Sequence, residues 1–322
     1  MIIGYVILFL IGLVALIKAS DVFVDAASSL AIKLRMPKML IALTVAAFGT
    51  CAPELAISFN SISSGNYDMT LANVIGSSVV NILLIVGVAT LVKPIKVQEQ
   101  TVKKELPILL GITGIFFIVL NDRIFTGAAE NGLSRLDAGI LMGAFGIFLA
   151  YIIYAVHMAH KKQKKPRRRE KAKYTLPRAI LYLLIALVVI VIASDMVVDN
   201  ASLIAIEMGI SQKIITMVAI VIGTSLPELT MTVGASRKGE FDLAVGNIIG
   251  TNIFNICIVL GLPTLIFGGF TSAAFNIVDT TVVLLAAGVY YWFGRSSRKL
   301  ERFEGMLMVA IFAAYYTYLF LV

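Results

Sequence analysis

Charge is what this sequence has least of, and that scarcity decides the class of molecule. Only 14% of its 322 residues are Asp, Glu, Lys or Arg, against 59% hydrophobic residues, and the mean hydropathy is +0.94. A soluble domain is about a quarter charged. A chain this apolar could not keep a water-facing surface soluble, which excludes a large soluble α/β protein with a rich core. Cysteine is almost missing. Cys51 and Cys257 are the only two, both fall inside apolar runs, and they give no disulfide framework and a weak basis for a metal site. Histidine is equally rare. His157 and His160 border a basic segment and read as solvated loop residues. No basic stretch precedes the opening apolar run, because the first positive charge is Lys18; the run reads as a first span and not as a cleavable leader.

Long apolar runs are what the sequence does have. A run of about 20 residues spans a hydrocarbon core of roughly 30 Å at about 1.5 Å per residue. Ten such runs occur, at 3–32, 38–63, 70–92, 106–120, 136–159, 176–206, 213–236, 243–267, 277–294 and 304–321. The first and sixth exceed the needed length and are expected to tilt or to extend past the bilayer. Transmembrane strands would instead alternate over segments of about ten residues. The expected fold class is an all-α polytopic membrane protein with ten transmembrane helices.

A net charge of +8 invites a nucleic-acid partner, but its distribution argues against one. With alternate loops assigned to opposite faces, one face receives Lys33, Arg35, Lys38, Lys93, Lys96, Lys103 and Lys104. It also receives the run from Lys161 to Arg178, then Arg237, Lys238, Arg295, Arg298, Lys299 and Arg302. That is 23 of the 27 Lys and Arg. The other face holds Arg123, Arg135 and Lys213, and Lys18 lies within the first span. The positive-inside rule puts the basic face in the cytoplasm and both termini outside, in a cell membrane. The stretch Lys161–Lys173, KKQKKPRRREKAK, reads as a solvated linker and topology determinant that can touch anionic lipid heads.

The segments on either side of this linker resemble each other at a constant offset of 174 residues. Gly49-Thr50-Cys51-Ala52-Pro53-Glu54-Leu55 matches Gly223-Thr224-Ser225-Leu226-Pro227-Glu228-Leu229. Gly65, Asp68, Asn73, Gly76 and Asn81 match Gly239, Asp242, Asn247, Gly250 and Asn255. Ser20, Asp21 and Asp25 match Ser194, Asp195 and Asp199. Over 44–87 against 218–261, 13 of 44 positions are identical without a gap. Shared hydrophobicity alone does not align Pro, Glu, Asp, Asn and Gly together. The expected organisation is a first membrane repeat over 1–160, a basic cytoplasmic linker over 161–175 and a second repeat over 176–322. Five spans per repeat is odd, so the second copy enters from the opposite side, the inverted plan of secondary transporters with a midplane site.

The duplicated motif carries the chemistry. Glu54 and Glu228 fall mid-span, where a carboxylate costs roughly 2.5–3.5 kcal/mol, and no Lys or Arg shares either span near it. Two unpaired carboxylates need a cation; a protonated Glu that merely packs two helices would not explain the repeated company around each. Pro53 and Pro227 remove a donor and clash with the carbonyl four residues back, at Gly49 and Gly223. Carbonyls near Ala47–Thr50 and Val221–Thr224 are thereby partly freed. Together with the Thr50 and Thr224 hydroxyls and the carboxylates, they are hard oxygen ligands suited to Ca²⁺ and Na⁺, and soft metals would want Cys or His. Ser77 and Asn81, matched by Thr251 and Asn255, sit at i, i+4 on one helix face. Gly76 and Gly250 let these helices approach closely; interhelical hydrogen bonding is the alternative use of the polar pairs. An empty site with two carboxylates favours Ca²⁺ or several monovalent ions, and repulsion with desolvation lets protons compete.

These motifs, Gly-Thr-x-x-Pro-Glu-Leu in both halves followed by Ala72-Asn73-Val74-Ile75-Gly76-Ser77 and Gly246-Asn247-Ile248-Ile249-Gly250-Thr251, resemble the two α-repeats of the calcium/cation antiporter superfamily, in its sodium/calcium exchanger branch. The resemblance covers essentially the whole chain. It implies Glu54 and Glu228 as Ca²⁺ ligands helped by Thr50 and Thr224. It implies sodium sites drawing on Ala47, Thr50, Cys51, Glu54 and Ser77, and on Val221, Thr224, Ser225, Glu228 and Thr251, with Asn81 and Asn255 closing the centre. It also implies that the first and sixth spans slide across the rest, and that several Na⁺ exchange for one Ca²⁺. Three positions depart from the family pattern: Ala72 replaces a Gly, Cys51 stands where Ser is common, and Asn255 stands where some relatives carry Asp. A thiol is a poor Na⁺ ligand, and the loss of an acid bears on which ions couple.

Two other readings use the same residues. A proton-coupled Ca²⁺ antiporter would differ in the driving ion, and a cation channel would conduct without a counter-ion. An intramembrane enzyme would need a nucleophile or an asymmetric acid/base pair, and the duplicated set has no His and no repeated Cys. No cofactor is expected, the transported ions being Ca²⁺ and Na⁺ with H⁺ as competitor, and beyond these ions and the lipid bilayer no protein partner is indicated. Asp21 is expected either to pair with Lys18 at i, i+3 or, with Asp25, Asp195 and Asp199, to line an ion path.

Overall fold

The computed structural model describes residues 2–125, 127, 131–162, 171–208, 223–272, 275 and 277–321. Helices dominate: α1 (Ile2–Leu34), α2 (Lys38–Thr50), α3 (Ala52–Ser63), α4 (Tyr67–Val92), α5 (Glu105–Val119), α6 (Arg135–Lys162), α7 (Leu176–Glu207), α8 (Leu226–Lys238), α9 (Phe241–Phe267), α10 (Ile277–Ser296) and α11 (Arg302–Leu321). Among the described residues, six helices are long and apolar enough to cross a membrane, and a seventh span results if α2 and α3, bent by 48° at Cys51, are taken as one. The beginning of the seventh predicted run, 213–222, lies outside the described residues. His157 and His160 are exposed on the last turns of α6, a helix and not a loop.

Burial sorts the helices into a centre and a rim. Every residue of the apolar stretch of α9 is buried and most of that of α4 is, whereas α1 and α6 bury few. The rim helices expose Ile3, Val14, Ile147, Ile153, Val188 and Ile192, the apolar outer surface that lipid requires of a polytopic membrane protein. α1 and α7 pack along each other. Gly12 permits this, since a Cβ there would come within 2.7 Å of Val197.

The two buried helices run antiparallel, and their ends are tied in a matched way. Asp68 at the start of α4 accepts a hydrogen bond from Ser272 just past α9, at 2.5 Å. Asp242 at the start of α9 accepts one from Gln98 just past α4. Asp68 and Asp242, like Gln98 and Ser272, are separated by the same 174 residues, so the two contacts are one contact made twice. Each helix is entered through a left-handed glycine, Gly65 (φ 75°) and Gly239 (φ 79°), a conformation that costs a residue with a Cβ.

Two short antiparallel ribbons close the ends. β1 (Ile95–Lys96) pairs with β4 (Lys299–Leu300), and β2 (Asn131–Leu133) pairs with β3 (Phe270–Ser272). Each ribbon takes one strand from either side of the linker. The first gathers the basic segments at one end, where Lys38 pairs with Glu240 at 2.8 Å, Arg298 with Glu99 at 3.0 Å and Lys173 with Asp25 at 2.6 Å. Lys103 and Arg298 beside Glu99 hold its carboxyl below the usual carboxylate range.

Candidate functional site

Two helix breaks of the same shape build the site. Cys51 between α2 and α3 has φ −79° and ψ 3°; Ser225 before α8 has φ −88° and ψ 3°. Proline is the second residue of each new helix, so the carbonyls of Gly49 and Gly223 meet a residue that cannot donate. The neighbouring backbone stays bonded. Cys51 N–H donates to the Ala47 carbonyl at 3.1 Å, and Leu55 and Leu229 N–H donate to the Cys51 and Ser225 carbonyls at 3.0 Å. Glu54 and Glu228 each follow their proline in the first turn, where the positive helix end favours a carboxylate.

Both glutamates are buried, with 1% and 0% exposure, and they face each other closely enough to interact electrostatically. Neither oxygen of Glu54 has a hydrogen-bond partner, nor has Oε2 of Glu228. The neighbours come crosswise from the opposite half: Thr224 stands by the Glu54 carboxylate and Thr50 by that of Glu228. The Cys51 thiol lies 3.9 Å from Glu228 Oε1 and 3.8 Å from the Thr251 carbonyl. The hydroxyls of Thr50 and Thr251 donate to Ala47 (3.4 Å) and Ile248 (3.2 Å), which leaves their lone pairs for another partner.

Asn81 and Asn255 sit in widened, π-helical turns, Val80–Ile85 of α4 and Asn255–Leu260 of α9. Such turns interrupt the regular ladder and recur at functional positions. The Asn81 turn packs on α8, which carries Glu228, and the Asn255 turn packs on α3, which carries Glu54. Ser77, Asn81, Ser225 and Asn255 are buried with side-chain polar atoms that lack partners. Buried polar atoms are nearly always satisfied, so these unpartnered groups on the elements that carry or pack on Glu54 and Glu228 make this the candidate binding site. Close approach is built in at Gly250, where a Cβ would meet Ala47 at 2.7 Å and the Leu43 backbone at 2.9 Å. Of the predicted ligand positions, Val221 lies outside the described residues.

Sequence reasoning missed Ser58, one turn beyond Glu54, buried and unpartnered; its signal was its match to Thr232 at the common offset. It also missed that Asn73 braces the break by donating to the Glu54 carbonyl at 3.2 Å, while Asn247 donates to Thr232 at 3.2 Å. A cavity of about 270 Å³ adjoins the site, lined by Pro53, Thr224 and Pro227 of the two motifs and by Ser194, Asp195 and Asp199 of α7.

Residues 4–154 and 178–321 match the family model described as sodium/calcium exchanger protein. This chain belongs to the sodium/calcium exchanger family. The exchanger is 36% identical over 318 residues to the CaxA protein of Alkalimonas amylolytica, covering 97% of each chain. It is 34% identical to the sodium/calcium exchanger MaX1 of Methanosarcina acetivorans, again over 97% of each chain. Its fold superimposes on the solved sodium-calcium exchanger NCX_Mj, in the form soaked with zero Na⁺ and Ca²⁺, with a TM-score of 0.83 at 27% identity, covering 99% of this chain and 100% of the other. The exchanger is thus a transporter and not an enzyme.

The four aspartates of the long rim helices are not alike in the exchanger. Asp21 pairs with Arg237 (3.2 Å) and Lys238 (3.6 Å), and Asp25 with Lys238 (2.7 Å) and Lys173 (2.6 Å). The expected Asp21–Lys18 pair does not form, because Asp21 turns toward the end of α8. The Asp25 carboxylate holds the Lys173 ammonium above its ordinary range. Asp195 and Asp199 instead line the cavity.

Proposed function

We propose that this exchanger is a secondary active antiporter that exchanges Ca²⁺ for Na⁺ by alternating access, through ten spans arranged as two inverted five-helix repeats. The observation that carries the site is the set of buried, unpartnered oxygens from both halves around Glu54 and Glu228. Ca²⁺ takes six to eight oxygens in flexible geometry. Glu54 and Glu228 supply the charge, and Thr50, Thr224, Ser77, Thr251, Asn81 and Asn255 supply neutral oxygens. The Ala47 backbone oxygen and the Ser225 hydroxyl complete Na⁺ positions, and the family resemblance adds Val221, the match of Ala47. On the first half Cys51 takes the place that Ser225 fills on the second. Two carboxylates are neutralised by one Ca²⁺ or by several Na⁺ in competition, and antiport follows if only the filled site changes face.

The matched Asp68–Ser272 and Asp242–Gln98 contacts support the inverted arrangement. The gathering of basic segments at one end supports a cytoplasmic linker with both termini outside. On that orientation the cavity opens outward, in keeping with NCX_Mj, whose solved structures are described as addressing extracellular ion exchange. The named exchangers among the relatives favour Na⁺ over H⁺ as the driving ion.

The test is Ca²⁺ uptake into proteoliposomes under separately imposed Na⁺ and pH gradients. A Na⁺ gradient should drive uptake. Uptake driven by pH alone would sink the sodium-coupled reading, and conductive flux without any counter-ion would make the chain a channel. Glu54→Gln or Glu228→Gln should abolish exchange in a folded protein, and normal transport in both would refute the site.

A further inference from the structure

We propose that Ser194, Asp195 and Asp199 form a second, outer cation site in the exchanger, one that holds a partly hydrated divalent ion on its way to Glu54 and Glu228. The three residues line one cavity that Pro53, Thr224 and Pro227 also line, so an ion held there lies beside the two motifs that carry Glu54 and Glu228. Asp195 and Asp199 lie one turn apart on α7, on one face. Ser194 beside them is 3% exposed, lines the same cavity, and its hydroxyl has no hydrogen-bond partner. Among the described residues, neither aspartate has an ion-pair partner.

The equivalent residues of the first half show that this vacancy of partners is particular to one end. Ser20 donates to the Thr230 carbonyl at 2.6 Å, and Asp21 and Asp25 are neutralised by Arg237, Lys238 and Lys173. At the 174-residue offset, the positions matching Arg237 and Lys238 are Ser63 and Ser64. The sequence therefore offers no base to Asp195 and Asp199 from the helix that corresponds to α8. Their negative charge is left for a mobile cation.

The chemistry favours a divalent ion held weakly. Two carboxylates and a hydroxyl supply few of the six to eight oxygens Ca²⁺ takes, so water fills the rest and affinity falls to about 10⁻⁴–10⁻³ M, the weak end of Ca²⁺ sites. Negative charge at the mouth of a low-dielectric cleft also raises local cation concentration and on-rate.

The inference rests on the cation-transport reading, and its test uses binding without transport. The full chain carrying Glu54→Gln and Glu228→Gln is titrated with Mn²⁺, and bound ion is read from loss of the free-Mn²⁺ electron paramagnetic resonance signal, with Ca²⁺ as competitor. One weak site of about 0.1–1 mM is expected, displaced by Ca²⁺ and lost on adding Asp195→Asn with Asp199→Asn. If that combination does not fold, either substitution alone should weaken binding about threefold or more. Absence of Mn²⁺ binding in the Gln/Gln protein, or binding that survives the aspartate changes, would overturn the site. In otherwise wild-type protein, Asp195→Asn with Asp199→Asn should raise the KM for Ca²⁺ offered at the cavity side and leave kcat unchanged; a fall in kcat alone would also overturn it. If wild-type protein fails to exchange Ca²⁺ for Na⁺ while the Mn²⁺ site persists, the function reading falls and the outer site stands.

Discussion

Ser20, Asp21 and Asp25 on α1 and Ser194, Asp195 and Asp199 on α7 carry the same side chains at the same spacing, yet they meet opposite surroundings. The first set is locked: its hydroxyl is bonded to the Thr230 carbonyl and its carboxylates to three cations. The second set borders a cavity that leads to Glu54 and Glu228. Equivalent sequence in the two halves thus displays a closed end and an open end in one conformation. The difference is not only one of state. Arg237 and Lys238 have Ser63 and Ser64 as counterparts, so the two ends cannot be closed by the same forces. One end is fastened by charge, and the helix that corresponds to α8 brings no base to the other.

Accessibility gives the largest expected contrast. With Cys51→Ser and Cys257→Ser removing the native thiols, Ser194→Cys should react with a small thiol reagent about two orders of magnitude faster than Ser20→Cys, since the latter must wait for local opening. Equal rates would abolish the open/closed distinction. Next in size is Arg237→Gln with Lys238→Gln. Partly exposed ion pairs contribute about 0.2–1 kcal/mol each, so losing the set should raise Ser20→Cys labelling about tenfold, and no change would show that the pairs do not hold the end shut. A smaller effect is expected from Ser63→Arg with Ser64→Lys, which gives the open end its missing bases. Labelling of Ser194→Cys should slow about threefold if each new pair is of that same size; unchanged labelling would place those positions out of reach of Asp195 and Asp199. The smallest effect is that of salt. Raising ionic strength from about 0.1 to 1 M shortens the screening length from about 10 to 3 Å. This should speed Ser20→Cys labelling less than threefold, and less again once Arg237 and Lys238 are neutralised and only the Lys173–Asp25 pair remains to be screened.

Much of the site was legible because it is local in sequence. Gly-Thr-x-x-Pro-Glu fixes a break, a free carbonyl and a carboxylate within six residues, and the 174-residue offset doubles the signal. What was not legible is long-range. Asp21 lies one turn from Lys18, so local spacing suggested that pair, but its partner Arg237 is 216 residues away and arrives only through packing of α8 on α1. The widened turns at Asn81 and Asn255 left no mark in the i, i+4 pattern, because hydrophobic spacing does not record how many residues a turn holds. Buried Glu105, bonded by Tyr151, and Asp279, bonded by Tyr315 at 2.9 Å, are a further matched pair of contacts. They escaped notice because the tyrosines do not share the common offset, the connection before α6 being longer than that before α11.

The ribbons β1–β4 and β2–β3 carry a mechanical implication. Each clasps the first half to the second, one at either end of the α4–α9 centre, and neither includes a residue of α1 or α7. The chain is thus built like a sash in its frame. The frame is stitched top and bottom across the two halves of the chain. The long α1–α7 pair lies outside both clasps and is joined to the frame by the turn before α2, by the basic linker before α7 and by the segment that leads from α7 to α8.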